Sequence, residues 1–456
     1  MPEVLTLRSL HVTSTHMRVP ASSVILLAAV AVAVALPLGG CNKPTSDSIQ
    51  LWKTTEKGPE KLHDALADHS VPPKVRAEAA VAMVDIGRAE EVDTVLAALP
   101  ADDKAEIAKT LVPAYEAGMT AKGPANAATD NVLVFRDSLF SLRQMLPAQG
   151  EERKRIDAVL LTSLEADFQA GKVRQGRHSL DKVLVAIGTA SSDLLVRVLG
   201  SDAPYAQTAE LLAKVGDEGA RERGAAALIA RAPKLKTTDK RPDLIYKALG
   251  TLGGPTALKY LQDKVTSGDK EEAVLATRAL GERRDPAVLP FALKIASDPK
   301  ADKTKRDEMF GVIEGIGGLD AEKGLVGIIS SDKDEIVRYR AFESILAARK
   351  ADGIQPGLEA FPASASYKKV DVDDLLVKLI EKQGAGARPA LIKTLGSRAP
   401  LARMTAAMAL EQIGRAPDAP ALEKLSGDSA PVKGFPAGET VGKQAARAVA
   451  IVKKRP

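Results

Sequence analysis

The sequence predicts an all-α protein in which short helical hairpins repeat along most of the chain. An apolar pattern with helical spacing recurs about every 33 residues, in about eleven copies. Prolines and capping Ser or Asp residues precede these helices, and glycine ends many of them. Aromatic residues make up only 3% of the 456 residues, as close packing of small side chains would favour. Together these observations predict one α-solenoid in place of several unrelated domains.

The repeated pattern is clearest in residues 76–87 and 403–414. Both segments begin with arginine and carry alanines three and four positions later. A large apolar residue follows seven residues after the arginine, isoleucine ten residues after it and glycine eleven residues after it. This spacing places the apolar residues on one face of a helix, and the glycine supplies the residue that ends it.

Further copies of this template occur between the two clearest segments. They begin at Ile107, Arg177, Tyr205, Pro242, Lys270, Arg306, Arg338 and Asp373. Residues 132–146 fill the largest gap with a degenerate copy. A shorter apolar helix precedes the template helix in the clear units, so each unit is a helical hairpin. Such a hairpin is too small to bury its apolar face alone and is stable only when it stacks on its neighbours.

The unit resembles the HEAT repeat along most of residues 58–456. The resemblance is closest at Asp332 and Arg338, which keep the six-residue spacing of the Asp–Arg ladder of that family. It implies a right-handed α-solenoid of about eleven HEAT-like hairpins. Ser397 replaces the aspartate in the Arg403 unit, and the aspartates before Arg76 and Arg306 lie eight residues away. The sequence therefore does not predict a continuous ladder.

The first forty residues have the organisation of a secretory signal. Arg18 precedes an apolar run at residues 24–36, which is too short for a transmembrane helix but suits a signal-peptide core. The tetrad Leu38-Gly39-Gly40-Cys41 follows this run and resembles the bacterial lipobox. The resemblance implies cleavage between Gly40 and Cys41 and acylation of Cys41, which would anchor the protein to membrane lipid. The alternative is an ordinary cleaved signal peptide followed by an incidental cysteine.

This interpretation divides the chain into three parts. Residues 1–40 form the signal peptide, residues 41–57 a tether, and residues 58–456 the solenoid. Met17 is an alternative start of the signal. Asn42 follows the cysteine, and in the enterobacterial sorting rule this favours the outer membrane. We therefore expect a protein of the bacterial cell envelope, anchored to the outer membrane and facing the periplasm.

The composition excludes several kinds of chemistry. One cysteine permits no disulfide framework and no thiolate metal cluster within the chain. The net charge of +5 is too small for this length to indicate nucleic-acid binding. After the signal only His63, His69 and His178 remain, without metal-ligand spacing. The sequence thus predicts no cofactor, no metal site and no catalytic residues.

Interaction sites are expected in the insertions between repeats. Residues 349–373 and 426–440 combine aromatic residues with lysines, whereas residues 231–242 are basic. An exposed aromatic ring beside lysines can anchor a partner. The candidate partner-binding residues are Phe361, Tyr367, Lys368, Lys369, Lys234, Lys236 and Arg241, with Phe435 in the last loop. Tolerated surface loops are the alternative.

These observations favour a membrane-anchored scaffold that binds a protein or peptide through its helical surface, without catalysis. A rival hypothesis is an enzyme or an enzyme-maturation factor that uses the solenoid as a substrate cradle, since some HEAT-like proteins resemble phycobilin lyases. A third possibility is a subunit of envelope-polymer or outer-membrane assembly.

Overall fold

The computed structural model describes residues 43–120, 130–170, 174–201, 207–238, 243–267, 269–362 and 370–456. Within these ranges the regular elements are helices, and a single isolated bridge joins Pro431 to Thr440. The all-α prediction is confirmed. The predicted signal peptide (residues 1–40) lies outside the described residues.

The helices follow one another with short connections. The first eight are α1 Ser46–Trp52, α2 Gly58–Ala67, α3 Pro73–Asp85, α4 Ala89–Ala98, α5 Ala101–Thr120, α6 Asn131–Met145, α7 Glu151–Gln169 and α8 Leu180–Ile187. The next eight are α9 Ser192–Leu199, α10 Thr208–Val215, α11 Glu218–Thr238, α12 Asp243–Leu252, α13 Gly254–Ser267, α14 Lys270–Arg283, α15 Leu289–Ala296 and α16 Lys303–Ile316. The last eight are α17 Gly318–Ser331, α18 Glu335–Arg349, α19 Ile354–Glu359, α20 Val370–Glu381, α21 Arg388–Thr394, α22 Pro400–Ile413, α23 Ala419–Glu423 and α24 Val441–Val452. Short 3-10 turns occur at Gly188–Ser191, Pro286–Val288, Lys350–Gly353, Gly384–Ala387 and Ala416–Asp418.

Side-chain caps begin many of these helices. The carboxylates of Asp302 and Asp334 accept hydrogen bonds from backbone N–H groups in the first turns of α16 and α18, and the Ser179 hydroxyl does the same for α8. Such caps satisfy donors that a helix start leaves unpaired. Gly317 ends α16 with a φ of 65°, a conformation that favours glycine.

Helices two apart in the chain pack side by side, which produces two layers. Odd-numbered helices are in contact consecutively from α1 to α13 and from α15 to α21. Even-numbered helices are in contact consecutively from α2 to α6 and from α8 to α24. We call these the odd layer and the even layer. Their alternation is what stacked hairpins require.

The helices that carry the repeated sequence template lie in one layer near the start of the array and in the other layer further on. The template helices that begin near Arg76 and Ile107 are α3 and α5, in the odd layer. From Arg177 onward the template helices are α8, α10, α12 and their successors, in the even layer. Helices α5 and α6 pack extensively on each other at the change. We call α6, α7 and residues 174–187 the junction; the repeat spacing alone did not reveal it.

Close approach between neighbouring helices explains the small residues. Ala79, Ala80, Ala406 and Ala407 are fully buried. A Cβ atom added at Gly250 in α12 would lie 2.8 Å from the backbone oxygen of Ala279 in α14. Because no side chain fits there, this glycine allows the two helices their short separation.

The predicted tether is wrong in its second half. Residues 46–52 form α1, which packs on α2 and α3, and Ile49 is fully buried. This segment places an apolar residue in the core and therefore belongs to the folded unit, which begins at Thr45. The prediction of a tether reaching residue 57 does not hold.

Candidate functional site

Phe361 is not an exposed anchor for a partner. Its side chain is 5% exposed, and its ring centroid lies 5.6 Å from that of Tyr339 and 6.0 Å from that of Phe342. The edge-on contact with Phe342 is a favourable core geometry for aromatic rings. The prediction that this ring binds a partner is therefore wrong, because burial of the ring stabilises the core around α18.

The remaining predicted positions fall outside what the structure describes. The backbone of α11 carries Lys234 and Lys236, whose side chains are outside the described residues. The described ranges do not include Cys41, Gly40, Arg241, Tyr367, Lys368 or Lys369.

The loop at residues 426–440 packs on the last helices of the array. Val432 is buried, and Phe435 is half-buried against the core. The carboxylate of Asp428 accepts a hydrogen bond from Arg403 Nε at 2.7 Å. This loop covers apolar surface, which corrects the expectation that Phe435 is an exposed anchor.

In three units an arginine links its own hairpin to the following one. Arg76 Nε donates to the Leu66 carbonyl at 2.9 Å, and its Nη1 donates to Asp103 at 3.3 Å. Arg306 likewise bonds the Ala296 carbonyl at 2.9 Å and Asp332 at 2.5 Å.

Arg403 repeats this geometry with the Ser397 carbonyl and Asp428. In each case the arginine bonds a carbonyl of its own hairpin and a carboxylate of the following hairpin. We call these contacts the arginine staples.

The staples differ from the ladder that the sequence suggested. Arg338 Nε donates to the backbone oxygen of Asp332 at 2.6 Å, whereas the carboxylate of Asp332 bonds Arg306 of the preceding unit. The relevant aspartates lie 25 to 27 residues after the arginines. A search for aspartate shortly before arginine does not show this pairing, whereas a search for aspartate 25 to 27 residues after arginine would find it.

The junction buries an unusual number of charged side chains. Arg136 and Asp167 are each about 95% buried and form an ion pair at 2.8 Å. Asp167 also accepts from Arg174, which bonds Asp130 as well. The Arg136 Nη2 group donates to the Arg174 carbonyl at 2.8 Å. These bonds satisfy charges that would otherwise be costly to bury.

A second polar chain links three elements of this region. Arg177 pairs with Asp93 of α4 at 2.8 Å. Asp93 is also hydrogen-bonded to Ser141 of α6, whose Oγ lies 3.1 Å from His178 Nε2. Burial raises the pKa of Asp93 and lowers the pKa of His178. The chain connects α4 and α6 to the segment before α8.

This arrangement differs from a hydrolytic triad in the groups that its carboxylates bond. In a hydrolytic triad the carboxylate orients the histidine and the histidine activates the serine. Here the Asp93 carboxylate bonds Ser141, and the Asp137 carboxylate accepts from the backbone N–H groups of Arg177 and His178. Ser141 is 8% exposed and lines none of the four grooves described below. These polar contacts serve to hold the junction together.

An open groove of about 550 Å³ adjoins the junction. One wall is a face of α7 with small side chains, namely Ala158, Thr162, Ser163 and Ala166. The facing wall consists of the end of α5 and the start of α6. It presents Met119, Thr120 and Val132, and the charged groups on the lining are Glu116, Arg155 and Arg174. This groove is mainly apolar and accessible, as binding sites for ligands and peptides are.

Three further grooves lie between neighbouring helices of the even layer. They separate α14 from α16, α16 from α18, and α20 from α22 and α24, with volumes of about 300, 580 and 390 Å³. Charged residues of both signs line them, and Arg340 in the second already pairs with Asp307 and Glu314. Because charged and polar side chains dominate these linings, the groove at α7 is the better candidate for an apolar partner.

No three His, Cys, Asp or Glu side chains in the described ranges are grouped so that they could hold a metal ion. None of the helices in the described ranges combines the length and the apolar character needed to cross a bilayer. Comparison with known proteins gives no assignment, because no protein-family model and no curated protein matches this chain.

Proposed function

We propose that this protein is a lipid-anchored scaffold of the bacterial envelope that binds a protein or peptide partner without catalysis. Cys41 carries the lipid in this proposal, after cleavage at Gly40, and the protein faces the periplasm from the outer membrane. The observation that carries the binding function is the apolar groove between α5, α6 and α7. Its small side chains on α7 leave room for a partner backbone to approach closely.

The architecture in this proposal is a right-handed α-solenoid of about eleven HEAT-like hairpins. The recurring template and the two alternating layers support it. An experimental structure that showed the opposite hand would contradict the handedness.

The partner expected in the groove is a segment with apolar side chains. Ala158 and Val159 provide the apolar floor, and Arg155 at the rim is 53% exposed. Arg155 pairs with Glu116 at 3.3 Å across the groove, so its charge is already balanced and the groove offers a partner mainly apolar contacts.

Photo-crosslinking in intact cells tests the binding function. A photoreactive residue at Thr162 is expected to capture a discrete partner, whereas one at Lys259 on α13, which is 77% exposed, is not. Ala158→Trp should reduce capture by filling the groove while the helical circular dichroism stays unchanged. Equal capture from both positions, or capture unaffected by Ala158→Trp, would contradict the groove as the binding site.

The anchor has a separate test. Mass spectrometry of the N-terminal peptide is expected to show Cys41 as the first residue with attached acyl chains, and globomycin should block its release from the precursor. An unmodified Cys41 in untreated cells would overturn the anchor but leave the groove proposal standing.

A further inference from the structure

The first helix exposes an apolar side chain at the end of the fold that follows Cys41. Leu51 is 64% exposed, the highest value among the large apolar side chains of the described residues. It adjoins Trp52, which is half-buried against the core. An exposed leucine beside a tryptophan has no evident value for the stability of the fold, since burial would favour both.

The surroundings of these two residues resemble the chemistry of a membrane interface. The Lys61 ammonium lies 5.5 Å from the centre of the Trp52 ring. Tryptophan side chains concentrate at the headgroup level of bilayers, where one part of the ring is apolar and another polar. Residues 46–61 contain three lysines and three acidic residues, so this segment carries no net charge.

The chain between Cys41 and α1 is short. Helix α1 begins at Ser46, which leaves residues 42–45 as the connection. The five Cα–Cα steps from Cys41 to Ser46 span at most roughly 18 Å when fully extended. A lipid on Cys41 therefore keeps α1 within reach of the headgroups, at an effective concentration that makes weak contacts sufficient.

We propose that Leu51 and Trp52 form a docking surface that enters the headgroup region of the anchoring bilayer. This inference rests on the lipid anchor of the proposed function. It assigns α1 a second role, since α1 both packs on α2 and α3 and holds the array against the membrane. Because the segment carries no net charge, the contact depends on apolar burial and is insensitive to salt and to the charge of the lipid.

Two unique residues make a direct experiment possible. Trp52 is the only tryptophan in the chain, and Cys41 is the only cysteine. Protein consisting of residues 41–456 can therefore be coupled through Cys41 to maleimide lipid in phosphatidylcholine vesicles. Brominated acyl chains in these vesicles quench the fluorescence of any tryptophan that reaches them.

Coupled protein is expected to lose Trp52 fluorescence in brominated vesicles and to show blue-shifted emission in ordinary ones, both in high salt. Uncoupled protein should show neither effect. An unchanged Trp52 spectrum after coupling would overturn the docking surface. Because the anchor is supplied chemically, this result does not depend on whether cells acylate Cys41, and the failure of one proposal is distinguishable from the failure of the other.

Matched variants locate the contact. Leu51→Asp should abolish the quenching, whereas Ile336→Asp, at a side chain that is 61% exposed on α18, should leave it unchanged. Both substitutions are at exposed positions, and equal thermal melting would show that the fold is intact. Quenching that persists in Leu51→Asp, or that disappears equally in both variants, would contradict a contact made by α1.

Discussion

The junction and the array that follows it solve the same packing problem with different chemistry. In the array from α13 to α24 buried charged groups occur as single pairs at interfaces, such as Arg306 with Asp332 and Arg403 with Asp428. At the junction several lie together, since Arg136, Asp137, Arg143 and Asp167 are each at least 94% buried. Buried ion pairs add little net stability but require one geometry. The polar core thus occurs where the sequence template changes layer and regular stacking cannot specify the arrangement.

The largest expected effect comes from breaking the buried pair. Asp167→Asn leaves Arg136 buried without a full counter-charge and also removes a partner of Arg174. We expect a loss of about 3–5 kcal/mol in the free energy of opening of α6 and α7. Hydrogen exchange of peptides from these helices measures it.

The matched change in the array is Asp428→Asn, which should cost about 1.5–3 kcal/mol because Arg403, with 14% of its side chain exposed against 5% for Arg136, keeps partial contact with water. Equal losses at both sites would remove the contrast between junction and array.

A pair of glycines tests close helix approach within the array. Gly250→Ala would press a Cβ against the backbone oxygen of Ala279 and should destabilise by about 1–3 kcal/mol. A Cβ added at Gly327 in α17 would meet only open space, so Gly327→Ala should stabilise by about 0.5–1 kcal/mol. Thermal melting should show a lower melting temperature for Gly250→Ala and a higher one for Gly327→Ala. Changes in the same direction would refute the account of helix spacing.

Acid should distinguish the two regions. Burial lowers the pKa of His178 below its ordinary value of 6.5, so the unfolded chain takes up this proton before the folded one. The stability of the junction should therefore fall as the pH drops below about 6.5, partly offset by Asp93, whose raised pKa favours the fold as it protonates.

In the array Arg388 lowers the pKa of Asp418, so this contribution is lost only below about pH 3.8. Hydrogen exchange at pH 7.5 and 5.5, corrected for intrinsic rates, should show lower protection in α6 and α8 and little change in α21–α23. His178→Gln should flatten the response of the junction. If the loss of protection at pH 5.5 persists in His178→Gln, another titrating group causes it.

The smallest effect is expected at an exposed ion pair. Lys259 and Asp263 of α13 pair at 2.9 Å, with side chains 77% and 60% exposed. Lys259→Ala should change stability by less than about 0.5 kcal/mol. Melting temperatures in low and high salt check this, and a larger loss would mean that surface pairs contribute to the array as buried ones do.

The sequence was sufficient for the helical class because helix spacing, caps and glycine stops are local properties. It was not sufficient for the layer change, because helices of both layers have the same spacing of apolar residues. It also misplaced Phe361 and residues 46–52, because proline-rich and polar surroundings suggested loops, whereas Tyr339 and the surfaces of α2 and α3 supply distant apolar contacts. The groove at α7 takes its lining from three successive helices, between residues 116 and 174, so no short motif marks it.

The arginine staples have a mechanical consequence. In the proposed function the protein is anchored at one end and bound by a partner elsewhere, so tension would pass along its length from one interface to the next. Each staple spans such an interface through a charged hydrogen bond that must break before neighbouring hairpins separate. Under load the array should therefore yield in discrete steps, with stapled interfaces giving way later than unstapled ones.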